Sequence, residues 1–292
     1  MKEYTFEEMR MKDSWTGEEI FEAKFPVKRW LVEGLIYPGV STQFFGQGKI
    51  GKTYLALDLA LHVAYAEPDF LELPIRKSGP VLYYMLEEGP DDLQPILCSN
   101  PLFNSNFYLE TMRGQFEIRK SLNLYSREDW TKLKESCSGR VLCVLDSLTT
   151  LRTRLNKSRP EDAKELVLGF NDIASETGCA FVFLNHQKGK SFVEETLGYK
   201  ASDGYRVRSF KGAGELFDAS GGTFSLVVGD NKPRLIIQPR HASEKVINLK
   251  KVFRNNQPWW MRTKPGSGNK NRKKKTPKME SFDEISVEIP SV

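Results

Sequence analysis

The apolar residues in the central part of this chain form short continuous runs that alternate with longer helix-like stretches. Strands are predicted at 40–45, 80–86, 140–146 and 180–184, and in the third of them residues 141–145 form an unbroken apolar run. Strands that are apolar throughout are typical of a sheet covered on both faces. Helical stretches are predicted at 52–66 and 160–177, and Gly178 is a suitable C-terminal cap for the second. The alternation predicts an α/β fold with a mainly parallel twisted sheet flanked by helices.

The two ends of the chain follow different patterns. Three shorter strands are predicted at 223–228, 234–238 and 245–252. The links between them are short, so they are expected to form antiparallel hairpins at the C-terminal edge of the sheet. Residues 1–34 show no sustained period and are interpreted as an arm or linker, which leaves 35–262 as the main domain. Residues 263–292 are first basic and then acidic, a composition that predicts a disordered tail.

Composition and charge narrow the class of protein. With 292 residues, 39% hydrophobic and 28% charged, the chain is long and apolar enough for a globular core. Neither an apolar stretch of about 20 residues nor a signal-like start is present, so a cytoplasmic location is expected. The net charge is +5, yet 264–278 alone holds seven basic residues and no acid. The folded body is therefore not built to coat nucleic acid, and four cysteines without a CxxC pair indicate reduced thiols.

One motif carries a specific chemical prediction. The run GQGKIGKT at 46–53 matches G-x-x-x-x-G-K-[ST] and lies between a predicted strand and a predicted helix. Small residues allow backbone N–H groups to surround phosphates, aided by the positive end of the helix dipole. Lys52 would contact the β- and γ-phosphates of ATP, and Thr53 would ligate Mg²⁺. The predicted nucleotide contacts are Gly46, Gln47, Gly48, Lys49, Ile50, Gly51, Lys52, Thr53 and Tyr54.

Polar residues at three other strand ends complete the predicted site. The carboxyl ends of parallel strands meet at one edge of a sheet, which is where ligands bind. Asp146 ends one buried strand and is predicted to hold Mg²⁺, and Glu87 follows another and is predicted to activate water. His186 ends the next strand, where it could respond to the γ-phosphate, although a lone histidine there is more often structural. Glu88 could instead serve an acidic turn that caps the next helix.

These motifs, in this order, resemble the RecA-like ATPases of the hexameric replicative helicase group, in particular the plasmid RepA-like family. The resemblance spans about 25–253 and includes the lead-in at 29–39, the run LEEGPDDL at 86–93 and NHQK at 185–188. It implies a RecA-like P-loop core, a catalytic glutamate at Glu87 and a conformational coupling residue at His186. It also implies a homo-oligomer, with a hexamer among the possible forms, and replication or recombination proteins as further partners.

The resemblance implies a basic residue that acts in trans as an arginine finger, and here the matching position is Lys211. Lysine supplies charge without the planar fork of arginine, so Lys211 could act alone or with Arg208 or Arg206. For this reason ATP hydrolysis is a weaker prediction than ATP binding. The predicted catalytic residues are therefore Glu87, Lys52, Asp146 and His186 of one copy and Lys211 of a neighbouring copy.

Two basic segments are predicted to contact single-stranded DNA. They follow the strands that carry Asp146 and His186, and the rest of the body is not basic. In RecA-like rings the equivalent loops line the channel, although basic loops can also be merely solvated. The residues are Arg152, Arg154, Lys157 and Arg159 in a loop at 151–162, and Lys188, Lys190, Lys200, Arg206 and Arg208 in a loop at 187–210.

Three functions remain open at this stage. The first is an ATP-hydrolysing, DNA-dependent motor of the RepA-like type. The second is an ATP-gated DNA-binding or recombination-mediator protein that does not unwind DNA, an alternative favoured by the lysine at 211. The third, a small-molecule kinase, is disfavoured because the sequence shows no arginine-rich lid.

Overall fold

A computed structural model of the chain describes residues 2–5, 8–9, 12–25, 30–103, 114–157, 159–187, 216, 219–229, 232–240 and 243–263. The strands are β1 (Lys2–Glu3), β2 (Ala23–Lys24), β3 (Ser41–Gln47), β4 (Asp69–Phe70), β5 (Leu73–Pro74), β6 (Val81–Met85), β7 (Phe116–Arg119), β8 (Leu142–Asp146), β9 (Ala180–Gln187), β10 (Gly222–Gly229), β11 (Lys232–Pro239), β12 (Lys245–Arg254) and β13 (Gln257–Arg262). The helices are α1 (Gly17–Glu22), α2 (Lys52–Ala64), α3 (Pro90–Ser99), α4 (Arg127–Cys137), α5 (Leu148–Arg154) and α6 (Pro160–Thr177).

Nine of these strands form one sheet, in the order β13-β12-β11-β10-β3-β9-β8-β6-β7. The strands from β10 to β7 pair in parallel. Three hairpin-connected strands, β11 to β13, add antiparallel at the other end. This arrangement confirms the predicted α/β class with a mainly parallel sheet and antiparallel strands at the C-terminal edge. Strand β3 lies inside the sheet, between β9 and β10, so the residues that follow it are placed near the middle of one sheet edge.

Two apolar clusters cover the two faces of the sheet. Because side chains alternate along a strand, neighbouring residues enter different clusters: Phe44 packs with α2 and α3, whereas Phe45 packs with α4 and α6. Helix α2 is buried along most of its length, as expected of a helix enclosed between the sheet and other elements. Gly178 adopts φ 73° after α6, which confirms the predicted glycine cap. Trp259 and Trp260, on β13, are both buried and pack in the first of these clusters.

Several elements differ from the sequence prediction. The segment 151–162 was expected to be one loop, but α5 extends to Arg154 and α6 begins at Pro160. The prediction of a loop was wrong because α5 buries only two side chains, Leu148 and Leu151. Two apolar positions are too few to show a helical period in the sequence. Strands β7 and β13 and helix α4 were not predicted. Residues 1–34 include α1 and the β1–β2 pair, and Leu31 and Val32 lie in the core.

Candidate functional site

The phosphate-binding motif occupies the turn between β3 and α2. Gly46 still belongs to β3 and pairs with His186 of β9 on one side and Leu226 of β10 on the other. The chain then leaves the sheet at Gln47 and enters α2 at Lys52. The strand–loop–helix context that the motif requires is therefore present, and the N-terminal N–H groups of α2 lie at the sheet edge that ligands use.

Two backbone positions give the loop its shape. Gly51 adopts φ 103°, a conformation that disfavours any side chain, and Lys49 adopts φ 60°. A Cβ atom at Gly51 would also lie 2.9 Å from Nε1 of Trp260. At Gly48, in contrast, a Cβ would meet no atom within 4 Å, so the space beside that residue is open. The backbone of the loop is thus packed against Trp260 at Gly51 and unobstructed at Gly48.

Lys52 is buried, and its ammonium group is held within the loop. Nζ donates to the carbonyl oxygens of Gly46 and Gln47, each at 2.9 Å, and lies 3.2 Å from Nδ1 of His186. Burial lowers the pKa of Lys52 to about 8, against the opposing effects of Asp146 and Glu87. The ammonium is therefore mostly charged at neutral pH, as is required of a group that would bind the phosphates of a nucleotide.

Asp146 ends β8 and is fully enclosed. The hydroxyl of Tyr83 donates to its Oδ2 at 2.9 Å, and the side chain of Thr53 also hydrogen bonds to it. Burial raises the pKa of Asp146 to about 6, and both hydrogen bonds oppose that shift. The carboxylate is thus mostly ionised at neutral pH and adjacent to the hydroxyl of Thr53, the pair of oxygen ligands that a P-loop protein uses for Mg²⁺.

Glu87 follows β6 and accepts hydrogen bonds from three side chains. Thr150 Oγ1 donates at 2.6 Å, Nε2 of His186 lies at 3.1 Å, and Ser147 Oγ makes the third contact. The bond from His186, followed by those from Ser147 and Thr150, outweighs desolvation and lowers the pKa of Glu87 to about 2. Because the ammonium of Lys52 can only donate, the network assigns Nδ1 of His186 as an acceptor and Nε2–H as the donor to Glu87.

The structure brings Lys52, Thr53, Asp146, Glu87 and His186 together at one edge of the sheet, as the sequence predicted. Sequence reasoning missed the residues that hold them. Tyr83 supports Asp146, and Ser147, Thr149 and Thr150 at the start of α5 surround Glu87 and His186. The run of hydroxyl residues directly after Asp146 was the available signal for this second layer.

The donor set fits MgATP. Glu88 has a buried carboxylate oxygen with no hydrogen-bond partner in the part of the chain that the structure describes. Its pKa is raised by burial and then by the nearby carboxylates of Asp92 and Glu87. Those described ranges contain no cluster of three His, Cys, Asp or Glu side chains arranged for a metal ion. Thr53 and Asp146 would hold Mg²⁺ together with phosphate oxygens of the nucleotide.

The predicted DNA-contact residues at 152–159 are exposed or half-buried, and they already have partners within the chain. Arg154 donates to the carbonyl of Leu86 at 2.6 Å, and Arg152 donates to the carbonyls of Lys157 and Arg159. Two ion pairs follow, between Lys157 and Glu165 and between Arg159 and Asp162. Arg154 is thus attached to the residue that precedes Glu87, which connects this basic segment to the predicted catalytic glutamate.

Other predicted residues lie elsewhere. Tyr54 turns from the loop, and its hydroxyl donates to Oε1 of Gln257 on β13 at 2.6 Å. The predicted DNA contacts of the second basic segment and the predicted finger residue lie outside the described residues. They are Lys188, Lys190, Lys200, Arg206, Arg208 and Lys211. In the ranges that are described, no helix has both the length and the apolar character needed to cross a bilayer.

Comparison with known proteins agrees with this geometry. The model of the AAA domain family matches residues 5–191. Among solved structures, a KaiC-like protein from the hyperthermophilic archaeon Pyrococcus horikoshii OT3 is similar, with a TM-score of 0.55 and 18% sequence identity. The match covers 82% of this chain and all of the archaeal chain. At that identity the structural likeness concerns the fold, which is RecA-like. The family match spans more than half of the chain and includes the phosphate-binding loop, Glu87, Asp146 and His186, and the chain therefore belongs to the AAA domain family of P-loop ATPases.

Proposed function

We propose that this protein is an ATP-hydrolysing, DNA-dependent motor resembling the RepA-like replicative helicases. The single observation that supports the proposal most strongly is the double attachment of α5 to the region of Glu87. Ser147 and Thr150, at its start, hydrogen bond the carboxylate of Glu87, whereas Arg154, at its end, donates to the carbonyl of Leu86. A helix that carries basic residues therefore contacts the carboxylate of Glu87 at its start and the residue that precedes Glu87 at its end.

The proposed chemistry assigns one role to each residue. Lys52 and the N–H groups of the loop would bind the β- and γ-phosphates of ATP, and Thr53 and Asp146 would hold Mg²⁺. Bound Mg²⁺ would neutralise charge that develops on the phosphate oxygens. Glu87 would orient and deprotonate the attacking water. All three donors to its carboxylate bind Oε1, so none of these three bonds occupies Oε2, the oxygen that would accept the proton from water.

We propose that His186 couples the nucleotide state to DNA contact. Its ring lies between Lys52, at 3.2 Å, and Glu87, at 3.1 Å. Its backbone N–H is 3.5 Å from the hydroxyl of Thr149 in α5. A phosphate that draws Lys52 away from His186 would alter the donor set of Glu87, and a movement of α5 would alter it from the other side. Nucleotide state and DNA contact would thus act on the same carboxylate.

The proposed partners are single-stranded DNA and further copies of this chain. DNA would contact the basic residues at 152–159 together with those between 187 and 210. Lys211 of a neighbouring copy would stabilise the charge of the transferred phosphate, which places the active site between subunits of a homo-oligomer such as a hexamer. Replication or recombination proteins are the further partners that this role implies.

The test is the ATP hydrolysis rate with and without single-stranded DNA, with Lys52→Ala measured in parallel as the background. A motor is expected to show strong stimulation by DNA in the wild-type chain and none above background in Lys52→Ala. An unchanged rate would contradict a DNA-dependent motor and favour an ATP-gated switch or another substrate. Unwinding of a forked duplex then separates the motor from a DNA-binding or recombination-mediator protein, because only the motor opens the fork.

A further inference from the structure

The last strand of the sheet carries two adjacent tryptophans whose indole N–H groups have different partners. Trp259 donates to Oγ of Ser99, at the end of α3, at 2.8 Å. Trp260 donates to the carbonyl oxygen of Gly51, in the phosphate-binding loop, at 3.1 Å. Both side chains are buried, with exposed fractions of 1% and 4%. They are therefore similar in chemistry and burial, yet of these two N–H groups only that of Trp260 donates to the loop.

The carbonyl that Trp260 binds lies where the phosphate-binding loop joins α2. Gly51 is the residue before α2 begins, and its carbonyl also accepts the N–H of Leu55 at 3.3 Å. Two donors therefore fix the direction of this one oxygen. The indole is itself held in place, since Nζ of Lys251 lies 5.2 Å from the centroid of its ring and the side chain packs in the core.

Planarity of the peptide bond transmits this constraint to the ligand side. In a trans peptide the C=O and N–H groups point in opposite directions. A fixed Gly51 carbonyl therefore fixes the N–H of Lys52, which is one of the unpaired donors at the start of α2. Lys52 also carries the ammonium that bonds the carbonyls of Gly46 and Gln47. The indole of Trp260 thus orients this peptide through its carbonyl group, whereas the phosphates of a nucleotide would bind on the side of its N–H group.

We infer that Trp260 is a positioning residue for nucleotide binding, which orients the Gly51–Lys52 peptide of the phosphate-binding loop through its indole N–H. The inference rests on the proposed binding of ATP by this loop and adds a residue that the motif does not contain. The loop shape is required equally in the ground state and the transition state. Loss of the N–H should therefore weaken nucleotide affinity and leave kcat at saturating ATP unchanged.

The experiment measures the binding of a fluorescent ADP analogue with Mg²⁺, by anisotropy, and the kinetics of ATP hydrolysis. Trp260→Phe removes the N–H and keeps an aromatic ring. We expect about threefold to tenfold weaker binding, the value of one hydrogen bond, a matching rise in KM and a kcat within about twofold of wild type. Replacing Trp260 by β-(benzothiophen-3-yl)alanine removes only the N–H at nearly constant size, so it gives the same readout if Trp260→Phe fails to fold.

Trp259→Phe is the matched control, because it removes an equally buried indole and an equivalent hydrogen bond outside the loop. It should lower the melting temperature about as much as Trp260→Phe and leave nucleotide affinity within about twofold of wild type. Wild-type affinity in both Trp260 variants would overturn the inference, as would equal weakening in Trp259→Phe. If wild type binds no better than Lys52→Ala, the proposed function itself fails, and that outcome differs from a loss confined to Trp260.

Discussion

The phosphate-binding loop and the basic segment at 152–159 are both predicted to bind phosphate groups, yet they are built in opposite ways. Lys52 is 5% exposed and donates to two carbonyls of its own loop. The side chain of Arg159 is 78% exposed and pairs with Asp162, three residues along the same helix turn. The loop is a preorganised site, whereas the basic segment has to exchange its present partners before it can bind a phosphodiester backbone.

The difference indicates how each region would contribute. A buried cation with fixed acceptors keeps its geometry when the solvent changes, so the loop supplies oriented donors for chemistry. Exposed ion pairs stabilise little and are screened by salt, so the basic segment can change partners at small cost. We therefore expect substitutions of the side chains that would act on the phosphates to change catalysis by large factors, and substitutions in the segment to change DNA affinity by small, salt-dependent ones.

The largest effect is expected for Glu87→Gln. Glutamine retains the size of the side chain but cannot accept a proton, so kcat should fall by about a hundredfold or more while MgATP affinity stays within about threefold. Steady-state hydrolysis and nucleotide binding measure the two quantities separately. Glu88→Gln is the neighbouring control and should leave kcat within about threefold of wild type. Retained turnover in Glu87→Gln would remove this residue from the catalytic role.

A comparison of two glycines tests whether the loop is preorganised. Gly51→Ala places a Cβ at φ 103° and 2.9 Å from the indole of Trp260, so it should destabilise the fold by about 1–3 kcal/mol. Gly48→Ala enters open space and should change the free energy of unfolding by less than about 0.5 kcal/mol. Denaturant unfolding of both variants measures this difference. Equal destabilisation would mean that the loop is not fixed by Gly51.

His186→Ala tests whether the two regions communicate. Removal of the ring breaks the connection between Lys52 and Glu87, so stimulation of hydrolysis by single-stranded DNA should fall by roughly tenfold or more, a typical coupling effect. The measurement is the ratio of rates with and without DNA. His62→Ala, in the last turn of α2, is a control histidine that has no contact with Glu87 among the described residues and should preserve the ratio. Unaltered stimulation in His186→Ala would contradict this route.

The smallest effect is expected for Arg159→Ala. Loss of one backbone phosphate contact should weaken binding of single-stranded DNA a few-fold and reduce the slope of log affinity against log salt by about one. Lys132→Ala, on α4, removes an equally simple exposed charge that is paired with Glu128. That control should leave both quantities unchanged. Similar losses in the two variants would indicate general electrostatic attraction instead of contact at this segment.

Local sequence pattern was sufficient to predict the site wherever a strand ends in a polar residue. Glu87, Asp146 and His186 each follow or end an apolar strand, Lys52 follows β3 and its loop, and parallel pairing brings such strand ends together. The supporting residues were harder to predict, because their role depends on pairing between distant segments. Trp260 contacts Gly51 across 209 positions of sequence, and only the order of the antiparallel strands places it there.

The missed elements share a physical cause. Helix α4 is polar overall and buries only Leu133 and Cys137, with Trp130 packed beside them, so its apolar stripe is narrow. Strand β13 contains Pro258, which argues against a central strand, and it lies at the edge of the sheet, where proline is tolerated. In both cases the tertiary neighbours, and not the local sequence, stabilise the element.

The position of β3 in the sheet has a consequence for the order in which the protein is made. This strand is synthesised early, yet its two neighbours, β9 and β10, end only at Gln187 and Gly229. A ribosome-bound chain therefore exposes the unpaired backbone edges of β3 until more than a hundred further residues have emerged. The phosphate-binding loop cannot acquire its final shape before then, so nascent chains halted upstream of β10 should be aggregation-prone and unable to bind nucleotide.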